Sequence, residues 1–283
     1  MALQSSEEEF EMPFVETSDG THLAYEDYGA GAPVVFVASW VLSTDMWEYQ
    51  APFFIEHGYR CVLLDRRGHG RSDRPRGGYD IDIRADDLAT LIEHLDLREI
   101  TLVAHSAGGG EAARYLARHG EGRVARVAFI AATLPFLKLT EDNPTGLPEA
   151  ACDAAVAQFH RDRPKWFADR AQGYFATHLG NDVSPALIDN EVRRCLSTSP
   201  AATVEMWRSS FHADHRDELR AISIPALIIH GAADQSAPID LTSRRTAKLV
   251  PGSTYKEYPT AGHGLYVTHA DQINADLLEF IRC

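Results

Sequence analysis

The stretch Thr101-Leu-Val-Ala-His-Ser-Ala-Gly-Gly-Gly110 decides the fold. Apolar residues 100–103 lead into it, and the helix-like, amphipathic residues 111–119 lead out. A serine at such a strand–turn–helix switch sits on a sharp turn, so the positions two residues to either side must be small. Here they are Ala104 and Gly108, with Gly109 adding further freedom. The turn lifts the Ser106 hydroxyl above the sheet and points the Ala107 N–H at the oxygen of a bound carbonyl. With alanine in place of the first glycine of G-x-S-x-G, an ordinary glycine-rich turn would read the same way.

A serine hydroxyl attacks a carbonyl only once a base takes its proton. Residues 226–229 form another apolar run, followed by His230-Gly-Ala-Ala-Asp-Gln-Ser-Ala-Pro238, so Asp234 falls just past the carboxyl end of a strand. Sheet-based sites are built at that edge. After a last strand at 254–258 comes Pro259-Thr-Ala-Gly-His-Gly264, which places His263 in a glycine-flanked loop at the same edge. The chain order Ser106, Asp234, His263 is the order of the α/β-hydrolases.

The rest of the chain agrees. Residues 14–17 and 22–28, split by Asp19-Gly20, alternate as an antiparallel hairpin does. Short apolar runs at 34–37, 61–64, 100–103, 124–130, 226–229 and 254–258 alternate with helix-length segments such as 83–95. That rhythm predicts an α/β fold with a mainly parallel sheet and flanking helices. Residues 135–218 break it. Rich in Ala, Arg, Asp and aromatics and punctuated by Pro144, Pro148, Pro164, Pro185 and Pro200, they read as an inserted helical cap. The predicted organisation is an acidic tail over 1–12, a core over 13–134 and 219–283, and a cap over 135–218.

Composition sets the outer limits. The 283 residues are 45% hydrophobic and 24% charged, an ordinary globular balance. With 41 acidic and 27 basic side chains the net charge is −14, which repels a polyanionic nucleic acid. Four scattered cysteines, Cys61, Cys152, Cys195 and Cys283, suit neither a disulfide framework nor a thiolate metal site. The acidic first residues do not read as a signal peptide, and the longest apolar stretch, near 33–42, is about half a membrane span. A cytoplasmic protein without a membrane partner is expected, and a homo-oligomer is left open.

The sequence is similar to the α/β-hydrolases of the cofactor-free haloperoxidase, perhydrolase and aryl-esterase type. Asp65-Arg-Arg-Gly-His-Gly-Arg-Ser72, Ser106-Ala-Gly-Gly-Gly-Glu-Ala-Ala-Arg-Tyr115, Ile239-Asp-Leu-Thr-Ser-Arg-Arg-Thr246 and Ala261-Gly-His-Gly-Leu-Tyr-Val-Thr-His-Ala-Asp271 carry the resemblance, which extends over about residues 13–282. It implies Ser106 as nucleophile, His263 as general base, Asp234 as the acid that orients it, and no cofactor or metal. The Trp40 and Ala107 N–H groups would form the oxyanion hole. The chain departs from the family after residues 34–37, where relatives carry His-Gly-Trp-Pro or His-Gly-Phe-Pro and this chain has Ala38-Ser39-Trp40-Val41. A positive φ at Ser39 would cost roughly 1–2 kcal/mol. Three readings of Ser39 stand: an ordinary conformation with a slightly shifted loop, an extra hydroxyl donor to the oxyanion, or a damaged hole. Perhydrolysis and halide oxidation in the family go with a proline beside the hole aromatic, so Val41 favours simple hydrolysis.

The expected substrate is therefore a small, mostly apolar ester or lactone. The alternatives are a perhydrolase or haloperoxidase, and a ligand-binding relative with a weakened hole. Among the aromatics of the inserted segment, Phe136 and Trp207 are expected to join Trp40 in lining the pocket. Gly29-Ala-Gly-Ala-Pro33 precedes a strand and reads as a turn, not a dinucleotide loop. The arginines at 66, 67, 71, 74 and 76 read as a structural turn, His212 and His215 as solvated or capping groups, and Cys61 as a small buried hydrophobe.

Overall fold

In the computed structural model, which describes residues 13–283, a central sheet is flanked by helices on both faces. The expected acidic tail, 1–12, lies outside the described residues. The chain opens with the hairpin β1 (Phe14–Glu16) and β2 (His22–Gly29), antiparallel as the alternation predicts. It continues through β3 (Pro33–Val37), α1 (Ala51–Glu56), β4 (Arg60–Leu64), α2 (Ile81–His94), β5 (Ile100–His105), α3 (Gly108–His119) and β6 (Val124–Ile130). After a helical segment come β7 (Ala226–Gly231), α9 (Ser243–Leu249), β8 (Thr254–Tyr258), α10 (Leu265–Thr268) and α11 (Ala270–Arg282). The eight strands run in the order β1-β2-β4-β3-β5-β6-β7-β8, and from β4 to β8 every pairing is parallel.

Successive strand residues face opposite sides, so each buried strand feeds two apolar layers. Val35, Leu102 and Ile228 pack with α2 and α3, whereas Phe36, Val103 and Ile229 pack with α1 and α11. The expected strands with continuous apolar runs are those buried on both faces, as parallel strands covered by helices must be. Cys61 lies in the second layer, fully buried, and burial pushes its thiol up to about 12.

Between β6 and β7 lie α4 (Glu149–Ala168), α5 (Ala171–Phe175), α6 (Pro185–Ser197), α7 (Pro200–His212) and α8 (Arg216–Ala221). The prolines that break the sequence rhythm have specific tasks. Pro185 and Pro200 open α6 and α7, where a missing N–H costs nothing, directly after Ser184 and Ser199. Those serines accept hydrogen bonds from Leu187 N–H and Ala202 N–H. Pro164 instead lies inside α4, where Asp162 leaves the helical region and the helix kinks. The α8 helix straddles residue 218, and its Leu219 is part of the sheet's first apolar layer. Among the described residues, no helix is long and apolar enough to cross a membrane.

Candidate active site

Ser106 follows β5 directly and has a φ of 54°, a left-handed conformation that costs a non-glycine residue roughly 1–2 kcal/mol. The strain is held by its neighbours. Ser106 N–H donates to Ile130 O at 3.0 Å, while its own carbonyl accepts from Thr133 N–H and Gly109 N–H. Gly108 makes the turn fit, since a Cβ there would stand 2.6 Å from Ala38 O and 2.7 Å from Val37 O. The loop after β3 therefore lies directly on the start of α3.

His263 reaches the same point from the loop after β8. Its Nε2 lies 2.8 Å from Ser106 Oγ and its Nδ1 2.6 Å from Asp234 Oδ2. Close packing positions this loop: a Cβ on Gly262 would meet Tyr174 O of α5 at 2.5 Å. From below, His105 Nε2–H donates to His263 O at 3.0 Å. Ser106, His263 and Asp234 are nearly closed to solvent, at 4%, 4% and 5% exposure, so their hydrogen bonds face little competition from water.

Asp234 is held on both oxygens. Oδ1 accepts from Ser236 N–H and Ala237 N–H, each at 2.8 Å, and Oδ2 also lies 3.1 Å from His230 Nε2. Burial alone would raise its pKa; the charge of His263 and the hydrogen bonds from His230 and His263 overcome that and hold the carboxyl well below the usual range. His230, fully buried with Nδ1 2.5 Å from Ser243 Oγ, is a second histidine on this carboxylate, four residues before it. Sequence reasoning quoted His230 without giving it a role, though the i, i+4 spacing was visible.

Two backbone donors frame the serine. Among the described residues, neither Trp40 N–H nor Ala107 N–H donates to an acceptor within the chain. Ser39 is not among the non-glycine residues with positive φ, so the strain considered for it does not arise. Its N–H donates to Met46 Sδ at 3.1 Å, and the residue lines the cavity.

That cavity, about 680 Å³, opens over Ser106 and His263 and is lined mostly by apolar and aromatic side chains. Trp207 lines it and packs at a tilt against Trp40, with ring centres 4.8 Å apart. Phe136 does not line it, contrary to expectation; it is buried with the Arg216 guanidinium 5.2 Å from its ring centre. Lining residues that the sequence did not single out include Glu191 and Gln235, and Trp166, Phe167 and Tyr174 come from its undivided pool of aromatics. Glu191 accepts from the Tyr266 hydroxyl and lies 3.1 Å from Arg194 Nη1, and burial pushes its carboxyl above the ordinary range.

The remaining basic groups are engaged elsewhere. Arg67 pairs with Asp87 and Asp19, and Arg71 with Asp65 and Glu26. His212 and His215 face separate carboxylates, Glu149 and Glu218.

Residues 32–270 match the family model described as the alpha/beta hydrolase fold. The chain belongs to that family. This α/β-hydrolase is 43% identical to a non-heme haloperoxidase of Rhodococcus erythropolis, covering 95% of this chain and 99% of the relative. It is 38% identical to a bifunctional esterase/perhydrolase of Acinetobacter calcoaceticus, covering 96% of this chain and all of that one. The solved bromoperoxidase of Bacillus anthracis superposes with a TM-score of 0.91 at 34% identity, over 96% of this α/β-hydrolase and all of the bromoperoxidase.

Proposed function

We propose that the protein is a serine hydrolase that cleaves a small, mostly apolar carboxylic ester or lactone through an acyl-enzyme, with residues 135–218 as its cap. The observation that carries the reading is the continuous hydrogen-bonded line Ser106–His263–Asp234 at the floor of an apolar cavity. Ser106 Oγ attacks the substrate carbonyl carbon as His263 Nε2 takes its proton. The negative oxygen that forms is received by the Trp40 and Ala107 N–H groups, free to donate there. His263 then gives the proton to the leaving alkoxide, and later draws one from the water that frees the acid. Asp234 keeps Nδ1 protonated and the ring aimed at Ser106.

A cavity of about 680 Å³ suits a substrate of modest size, and its aromatic walls favour an apolar acyl or aryl group. A second reading, perhydrolysis, is favoured by the names of the haloperoxidase and esterase/perhydrolase relatives. In it hydrogen peroxide replaces water on the acyl-enzyme and releases a peracid. Val41, where such enzymes carry proline, supports plain hydrolysis as the main reaction.

The test is turnover of a nitrophenyl ester, with and without hydrogen peroxide. Ser106→Ala and His263→Ala should each lose several orders of magnitude in kcat with the fold intact, because the two act as one unit. Most of the activity surviving in Ser106→Ala would overturn the reading.

A further inference from the structure

We propose that Arg66 is a positioning residue of the oxyanion hole: its buried guanidinium holds and polarises the peptide unit that carries the Trp40 N–H. The inference rests on the serine-hydrolase reading above. Arg66 follows β4 by two residues, yet its hydrogen bonds go to the loop after β3. Nη1 and Nη2 donate to Ser39 O at 2.8 and 2.9 Å, Nη2 also donates to Ala38 O, and Nη1 lies 3.3 Å from Trp40 O. His69 Nε2 reaches the same Trp40 carbonyl at 2.7 Å. Three consecutive carbonyls thus face one side.

The geometry of the peptide bond does the rest. Ser39 C=O and Trp40 N–H belong to one trans peptide unit, in which the two bonds point in opposite directions. Fixing Ser39 O on Arg66 therefore turns Trp40 N–H away from the guanidinium, where no acceptor within the chain takes it. A carbonyl that accepts two hydrogen bonds from a cation also makes its own N–H a stronger donor. A peptide free to rotate could instead present its carbonyl to the developing oxyanion and repel it.

Arg66 is only 3% exposed, and its charge is balanced from behind. Its Nε lies 2.9 Å from Glu111 Oε2, close enough for charge pairing though off line for a hydrogen bond. Glu111 Oε1 in turn accepts from Arg84 Nη1 at 2.7 Å. Replacing Arg66 alone leaves Glu111 paired with Arg84, so the variants do not strand a buried charge. A buried Arg–Glu–Arg row is poor value as a stabilising device compared with apolar packing. Its free end on the oxyanion loop accounts for its presence.

The experiment compares Arg66→Lys and Arg66→Gln with the parent in nitrophenyl ester turnover. It also measures inhibition by a trifluoromethyl ketone, whose adduct with serine carries the tetrahedral oxyanion, and affinity for a non-reacting amide analogue. The expected result is a roughly 10- to 10²-fold loss of kcat with KM little changed. Ketone affinity should fall in parallel and the amide affinity should hold, with lysine retaining more activity than glutamine. Folded variants with the parent's kcat and ketone affinity would overturn the proposal. So would equal losses for ketone and amide, or two chains that do not fold, since either outcome assigns Arg66 to bracing alone. A parent inactive on esters defeats the serine-hydrolase reading; an active parent with unaffected Arg66 variants defeats only this inference.

Discussion

Each polar group of Ser39 has a separate environment. Its N–H is taken by Met46 Sδ and its carbonyl by Arg66, and its hydroxyl has no partner within the described chain, where the residue lines the cavity. Because its φ is not positive, glycine there would relieve no strain. The Trp40 and Ala107 N–H groups, unpaired within the described chain, are the two donors proposed for the oxyanion. Ser39→Gly and Ser39→Ala are therefore both expected to keep the parent's kcat. A loss of roughly 10²–10³ in Ser39→Ala, falling on kcat and sparing KM, would instead make the hydroxyl a third donor. Steady-state kinetics on one ester separates the two outcomes.

Three elements place the chemistry, each by ending at the same edge of the sheet: β5 delivers Ser106, β7 delivers Asp234 and the loop after β8 delivers His263. One close support is the contact between the α3 start and the loop after β3. Gly108→Ala should push Ala38 O away, since overpacking of this kind typically costs about 1–3 kcal/mol. The same displacement moves Trp40 N–H, so kcat should drop about 10²-fold, as for a lost donor, while circular dichroism stays native. Unchanged kcat would show that the loop adapts. Strands β5 and β7 are legible because apolar runs bounded by turn residues report burial locally. Residues 254–258 form the expected strand but not a buried one, since Thr-Tyr-Lys-Glu-Tyr lies at the sheet edge with only Tyr258 buried. Contacts across the fold were not legible in the same way. Arg66 reads as part of a glycine-rich turn, because the carbonyls it holds lie some 26–28 residues earlier. Phe136 and Trp207 look alike as aromatics of one segment, and only the packing of α7 against Trp40 sets Trp207 apart.

Trp40 is one place where the helices between β6 and β7 meet the sheet core. Its ring packs with Phe159 and Trp166 of α4 and Trp207 of α7, and its Nε1–H donates to Thr203 O at 3.0 Å. Thr198, between α6 and α7, donates its hydroxyl to Val41 O at 2.8 Å. The residue whose backbone is proposed to serve the oxyanion thus also carries part of the cavity wall, so one contact region would set both substrate shape and hole geometry. The proposed mechanism requires a covalent acyl group on Ser106 within this enclosure. Acid-quenching the parent during turnover of a nitrophenyl ester, then mapping the added mass by peptide mass spectrometry, would trap and locate that group. A single acyl group is expected on the peptide containing Ser106, formed in a burst of nitrophenol release and absent in Ser106→Ala. Turnover with no covalent adduct, or an adduct on another residue that persists in Ser106→Ala, would contradict it.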